Sequence, residues 1–232
     1  MKRALSFIIF TALFLIFGFM AFSSLPGRSS AAQTNPDTLV ENSDIQPAAP
    51  LAQTTTGPKY NAIALPLDAT VELPNAQAIA DAISGTQVVL SWNVEYQTYD
   101  FWYPNYQYGT NFPTTLGGGY LVQVDSSAPL AFTVVGEVPP PTGEAGAVEF
   151  SISGGTPCMY NLVTIPLDQD QLTDAQSLAD DIGNIDVVLQ WNVEYQTYDF
   201  WYPNYQYGTN FDVMVGHPYM VCSTAEKIWP QP

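Results

Sequence analysis

Positive charge is the scarcest feature of this 232-residue chain: five lysines and arginines stand against 22 acidic residues, a formal charge of −17. Lys2, Arg3 and Arg28 fall in the first 32 residues, so only Lys59 and Lys227 remain beyond them, and the balance there drops to −20. Proteins that hold nucleic acid or anionic membrane surfaces neutralise phosphate with clustered Lys and Arg. Neither partner is expected here. Histidine is reduced to His217, in a Gly-His-Pro turn. With no second imidazole to share a metal, and one half of the chain lacking any, a Ser-His-Asp or Cys-His site is not expected. The two cysteines, Cys158 and Cys222, both lie in the second half. In an exported chain they can oxidise, and closing the loop between them would stabilise by about 3–4 kcal/mol; a pair of buried thiols is the alternative. The aligned positions in the first half are Pro58 and Gln123.

The scarcity of charge extends to the N-terminus. After Lys2 and Arg3, residues 4–22 carry none, and Ser, Pro, Gly and Ala follow up to Ala32. That order is the signature of a secretory leader. The apolar run is also long enough to span a bilayer if it stays uncut. Residues 1–32 are therefore expected to be a signal peptide or an N-terminal anchor, and no cysteine marks a lipoprotein site there. Residues 33–57, rich in Pro, Asn, Gln, Thr and Ala without apolar period, are expected to be a flexible linker.

What is abundant is a duplicated aromatic block. WNVEYQTYDFWYPNYQYGTNF runs from Trp92 to Phe112 and again, unchanged, from Trp191 to Phe211. Nine of its 21 positions are aromatic, and most others are Asn, Gln, Thr, Gly or Pro. Around it a weaker repeat places YNAIALPLD beside YNLVTIPLD and NAQAIADAIS beside DAQSLADDIG. Apolar runs over 63–67 and 162–167 that stop at Pro-Leu-Asp predict strands. Thr173 with Gln176 has capping-box spacing ahead of Ala175, Leu178, Ala179 and Ile182, which predicts a helix of about three turns ended by Gly183. Pro74 and Asn75 open the equivalent helix.

Residues 88–92 and 187–191 predict strands, with a turn over 93–97 and a return strand over 98–103 closing at Pro104. The turn puts Tyr99, Phe101 and Tyr103 on one face and Thr98, Asp100 and Trp102 on the other. A loop with a hinge at Gly109 is expected next, then further strands over 112–116 and 120–124, with counterparts at 211–215 and 219–222. Alternating segments over 132–138 and 148–153 predict a hairpin joining the two copies. The expected architecture is mainly β with one short helix per module: module 1 over 58–129, a connecting hairpin and Pro/Gly-rich loop over 130–157, and module 2 over 158–229.

The set of motifs, Tyr-Asn-x-x-x-x-Pro-Leu-Asp, Ala-Gln-x-x-Ala-Asp, Trp-Asn followed by Gln-Thr-Tyr, Gly-Thr-Asn-Phe and Gly-x-x-Tyr-x-Val, resembles the tandem β-rich repeat modules of exported bacterial cell-surface proteins. The resemblance covers residues 58–229. It implies an extracellular, non-catalytic module used in tandem, although the Tyr-rich return strand and loop depart from the pattern.

Rings interleaved with uncharged hydrogen-bonding groups suit neutral polar ligands such as sugars. The expected ligand-binding set is Trp102, Tyr103, Asn105, Tyr106, Gln107, Tyr108 and Asn111, repeated as Trp201, Tyr202, Asn204, Tyr205, Gln206, Tyr207 and Asn210. The expected partner is a glycan or other neutral polymer on a secreted or cell-surface protein. The alternative is a structural or adhesive protein that assembles with other copies of itself or binds ordered water. A glycoside hydrolase using Glu95 with Asp100, or Glu194 with Asp199, is a third reading. No cofactor is expected. Asp168, Asp170 and Asp174 have spacing that would serve structural calcium, but the glycine and terminal glutamate of an EF-hand loop are absent.

Overall fold

A computed structural model of the protein describes residues 48–51, 58–125 and 130–231, all within one compact unit, Ile45–Pro232. The expected leader, and the linker apart from 48–51, lie outside the described residues. The first half runs β1 (Ala48–Leu51), β2 (Lys59–Ala64), α1 (Ala76–Ala82), β3 (Thr86–Asn93), β4 (Thr98–Tyr103), β5 (Tyr108–Gly109), β6 (Gly119–Val124) and β7 (Leu130–Thr133). The second runs β8 (Phe150–Ile152), β9 (Met159–Thr164), α2 (Ala175–Ile182), β10 (Ile185–Asn192), β11 (Thr197–Tyr202), β12 (Tyr207–Gly208), β13 (Pro218–Ser223) and β14 (Lys227–Trp229). The protein is mainly β, with two five-stranded antiparallel sheets ordered β2-β6-β3-β4-β5 and β9-β13-β10-β11-β12. Each is accompanied by a two-stranded ribbon, β1 with β7 and β8 with β14. Strands β8–β14 thus repeat the pairing of β1–β7.

This pairing corrects three expectations. Residues 48–51, assigned to the linker, form a strand. The segments either side of the Pro-rich loop do not make a hairpin with each other; each instead pairs with a strand at the far end of its own half. The apolar pattern overlaps β8 fully and β7 only at Phe132 and Thr133, and it carries no information about partners. Residues 112–116 and 211–215 are not strands either, and contribute only the single bridges Asn75–Pro113 and Asp174–Asp212. Pro113 has no N–H to give a ladder, and the Phe112 and Phe211 carbonyls accept from Ala76 N (3.0 Å) and Ala175 N (2.9 Å), at the helix starts.

The helices are shorter than expected, seven and eight residues. Asn75 caps α1 by accepting from Ala78 N at 3.0 Å. The capping box of α2 sits one residue later than the Thr173–Gln176 reading: Asp174 accepts from Ser177 N at 2.7 Å and Ser177 Oγ accepts from Asp174 N at 3.0 Å. Gly183 closes the helix with φ 73°, as the sequence predicts.

One face of each sheet packs on its helix. Ile63, Val89, Trp102, Tyr120 and Val122 meet Ala76, Ile79 and Ile83 in the first half, and Val163, Val188, Trp201, Tyr219 and Val221 meet Leu178 and Ile182 in the second. Each fully buried large aliphatic side chain contributes about 1.5–3 kcal/mol. The opposite faces meet each other. A Cβ on Gly119 would lie 2.7 Å from Pro218 Cβ and 3.1 Å from Leu162 Cδ2, so only glycine lets the sheets approach this closely. The layers are helix, sheet, sheet, helix, and the block Trp92–Phe112 meets its own helix, the other sheet and solvent.

Candidate functional site

The β3–β4 hairpin is set by Asn93, whose Oδ1 accepts from Glu95 N (3.1 Å) and Tyr96 N (3.2 Å) while Nδ2 donates to Asp100 Oδ2 (2.9 Å). Asn192 does the same in the second half, its Nδ2 donating to Asp199 Oδ2 at 2.8 Å. Asp100 and Asp199 are therefore tied to the hairpin, while Glu95 and Glu194 stand in exposed turns. The turn ends on Gln97 and Gln196 in the left-handed region, φ 52° and 53°, which carries their amides beyond the sheet.

Those amides reach the other half. Gln97 Oε1 accepts from Tyr160 N (2.9 Å) and its Nε2 donates to Tyr160 O (3.1 Å), joined there by Trp92 Nε1 (2.9 Å). Reciprocally, Gln196 Oε1 accepts from Tyr60 N (2.8 Å), its Nε2 donates to Tyr60 O (3.1 Å), and Trp191 Nε1 donates to the same carbonyl (2.9 Å). Between them the Tyr99 and Tyr198 hydroxyls lie 2.6 Å apart, each ring edge-on to Trp92 or Trp191 at 5.0 Å. Burial is the main cause that pushes the Tyr99 phenol well above its usual range and Tyr198 up to about 12. Burial also raises the core phenol Tyr219 to about 12.

These raised values set a pH dependence. Above pH ~10 the unfolded chain releases phenol protons that the fold retains, so the folded state binds more protons and stability falls as pH rises. The loss begins near the unfolded value of 10.0 and is complete near 12. It is expected to reach about 3 kcal/mol for each independently titrating phenol, two pKa units at about 1.4 kcal/mol each. Denaturant unfolding at stepped alkaline pH measures it; a flat profile from about pH 9 to about pH 12 is the contrary result.

Beyond the inter-sheet contact, β4 and β5 present rings outward. Phe101 and Tyr103 alternate onto the face that carries Tyr99, and register puts Tyr108 opposite Tyr103. Phe101 lies 5.5 Å from Tyr103 and 5.7 Å from Tyr108, with Tyr103 and Tyr108 stacked at 6.4 Å. The second half repeats this with Phe200, Tyr202 and Tyr207 at 5.6, 5.7 and 6.4 Å. The segment expected to be a hinged loop is a second tight hairpin, with Gln107 and Gln206 at φ 46° and 48°. Gly109, at φ 106°, is required because a Cβ there would fall 2.1 Å from Phe101 O. At the turn tips Tyr106 and Tyr205 are 79% and 80% exposed, flanked by exposed Asn105, Gln107, Asn204 and Gln206. Pro203 and Asn204 also border an open cleft of about 450 Å³ with Gln176, Asp180 and Asn184.

The structure thus gathers Tyr103, Asn105, Tyr106, Gln107 and Tyr108, and their counterparts Tyr202, Asn204, Tyr205, Gln206 and Tyr207, on hairpins β4–β5 and β11–β12. It does not place Trp102 or Trp201 there. Each is 9% exposed, points into the core and donates through Nε1 to Gln77 or Gln176 Oε1 at 2.9 Å. Asn111 and Asn210 also face their helices, accepting from Gln77 N and Gln176 N at 2.9 Å. Residues not foreseen at the surface are Phe101, Phe200 and the hairpin-tip Tyr96 and Tyr195. The alternation of β4 already put Phe101 beside Tyr103, and was the available signal.

Cys158 and Cys222 are disulfide-bonded. Asp168 accepts from Thr142 N and Oγ1 at 2.6 and 3.1 Å, and Asp174 caps α2; with Asp170 they do not converge. Among the described residues no group of three or more His, Cys, Asp or Glu is placed to hold a metal ion. His217 is half-buried, which lowers its pKa. Comparison with protein-family models, curated proteins and solved structures returns no match.

Proposed function

We propose that this chain is a secreted or cell-surface, non-enzymatic tandem of two β-rich modules that binds neutral polysaccharide through its two Phe–Tyr–Tyr hairpin clusters. One observation carries the reading. In a protein of charge −17, the rings of the two clusters and of the turn tips Tyr106 and Tyr205 sit in stretches without a single charged residue, 101–124 and 200–211. Ring faces stack on the apolar faces of pyranoses, and the adjacent amides of Asn105 and Gln107 hydrogen-bond hydroxyls. A polycation would select acidic side chains, and a polyanion is repelled by the net charge. The same charge opposes close packing of one copy on another, which disfavours self-assembly as the role of these surfaces.

The test is Tyr106→Ala combined with Tyr205→Ala. Both rings are largely exposed, so stability is expected to shift by no more than about 0.5 kcal/mol. Affinity for a neutral polysaccharide, read as retardation in an affinity gel, is expected to fall at least about tenfold, which is 1.4 kcal/mol. Retardation of neither wild type nor variant by β-glucan, chitin, mannan or galactan rejects the reading.

A further inference from the structure

We infer that the two clusters hold two separate polysaccharide strands, so that the protein ties strands together and does not grip one strand twice; this rests on the glycan reading above. The contacts between the sheets are reciprocal. Trp92 and Gln97 bracket Tyr160 as Trp191 and Gln196 bracket Tyr60, and Tyr99 meets its own counterpart Tyr198. An interface in which one residue meets a second and the second's equivalent meets the first's is isologous, and the operation relating its sides is a twofold rotation. The Tyr99–Tyr198 hydrogen bond lies across that axis. The ring clusters, whose spacings agree within 0.1 Å, are related by the same half-turn.

A polysaccharide strand has direction, from its non-reducing to its reducing end. A straight strand touching both clusters must cross the axis between them. A half-turn reverses the sense of such a strand, so it would meet one cluster with its reducing end leading and the other with its non-reducing end leading. Two clusters with the same stacked rings and the same flanking amides do not both accept it in one mode. A strand lying on the axis would keep its sense, but its path is filled by the Tyr99–Tyr198 contact; a strand parallel to the axis and beside one cluster keeps its sense and meets that cluster alone. In either case full occupation takes two strands. The identical sequence of the blocks then serves a bridge with equal ends.

The test uses the full chain with neutral hexamers (cellohexaose, chitohexaose, mannohexaose) and the matching soluble polymers. Calorimetry is expected to count two hexamers per chain. Light scattering of the polymer is expected to rise on adding protein and to fall again when protein is in excess. A variant carrying Tyr205→Ala and Tyr207→Ala, with the first cluster intact, is expected to bind one hexamer at unchanged affinity, to lose the scattering, and to weaken on polymer by less than tenfold. Polymer binding without scattering, together with a loss of about a hundredfold or more in the single-cluster variant, is the signature of one strand held at both clusters and overturns this inference alone. Failure of every hexamer and polymer to bind overturns the glycan reading, and this inference with it.

Discussion

Truncating Trp102 to alanine is expected to cost about 3–5 kcal/mol of stability, the range for large aromatic side chains removed from a core, and Trp201→Ala about as much. Each indole packs against its helix among Val89, Ile79 and Phe112 or their counterparts. Each also satisfies its N–H with a helix glutamine that is itself held by an aspartate four residues on, Gln77 to Asp81 and Gln176 to Asp180, both at 2.8 Å. Trp102→Phe keeps most of the ring and loses the hydrogen bond, so about 1–2 kcal/mol is expected. Denaturant midpoints rank the variants. If Trp102→Ala leaves stability unchanged and removes polysaccharide retention, the indole belongs to the binding surface and its assignment to the core is wrong.

Removal of the disulfide by Cys158→Ala with Cys222→Ala is expected to lower stability by about 3–4 kcal/mol, because the bridge restrains a denatured-state loop whose ends are 64 positions apart. The half-cystines sit at one end of the β9–β13 pair, where Cys222 faces Tyr160. Both sulfurs leave small cavities, so the double variant is compared with the reduced wild type. Agreement between the two assigns the effect to the cross-link; a loss under about 1 kcal/mol in both shows that the denatured chain is already compact there.

Much of this fold was legible locally. β3 and β4 follow from β-branched and aromatic runs around an Asn-led turn, and both helices follow from apolar spacing and a terminal Gly183 or an opening Asn75. β2 and β9 begin earlier than their apolar runs because Asn61 and Asn161 are buried within them, and a polar residue reads as the outside of a strand. The ribbons β1–β7 and β8–β14 were not legible at all, since pairing at more than 70 residues' separation leaves no periodic trace. In the site, the Tyr-rich turn was visible from composition, whereas the choice between Trp102 and Phe101 depended on which face the helix covers. The period of two separates the faces without saying which is inside.

The amide clamps have a consequence for how the protein ages in solution. β2 and β9 end their sheets, and an edge strand left uncovered is a template on which further chains can stack. Gln97 and Gln196 occupy the edge N–H and C=O of Tyr160 and Tyr60, which a recruited strand would otherwise pair with. Conversion of either glutamine to glutamate removes the donor and places a negative charge against a carbonyl oxygen, so slow deamidation would lower the melting point and begin to uncover one of these edges.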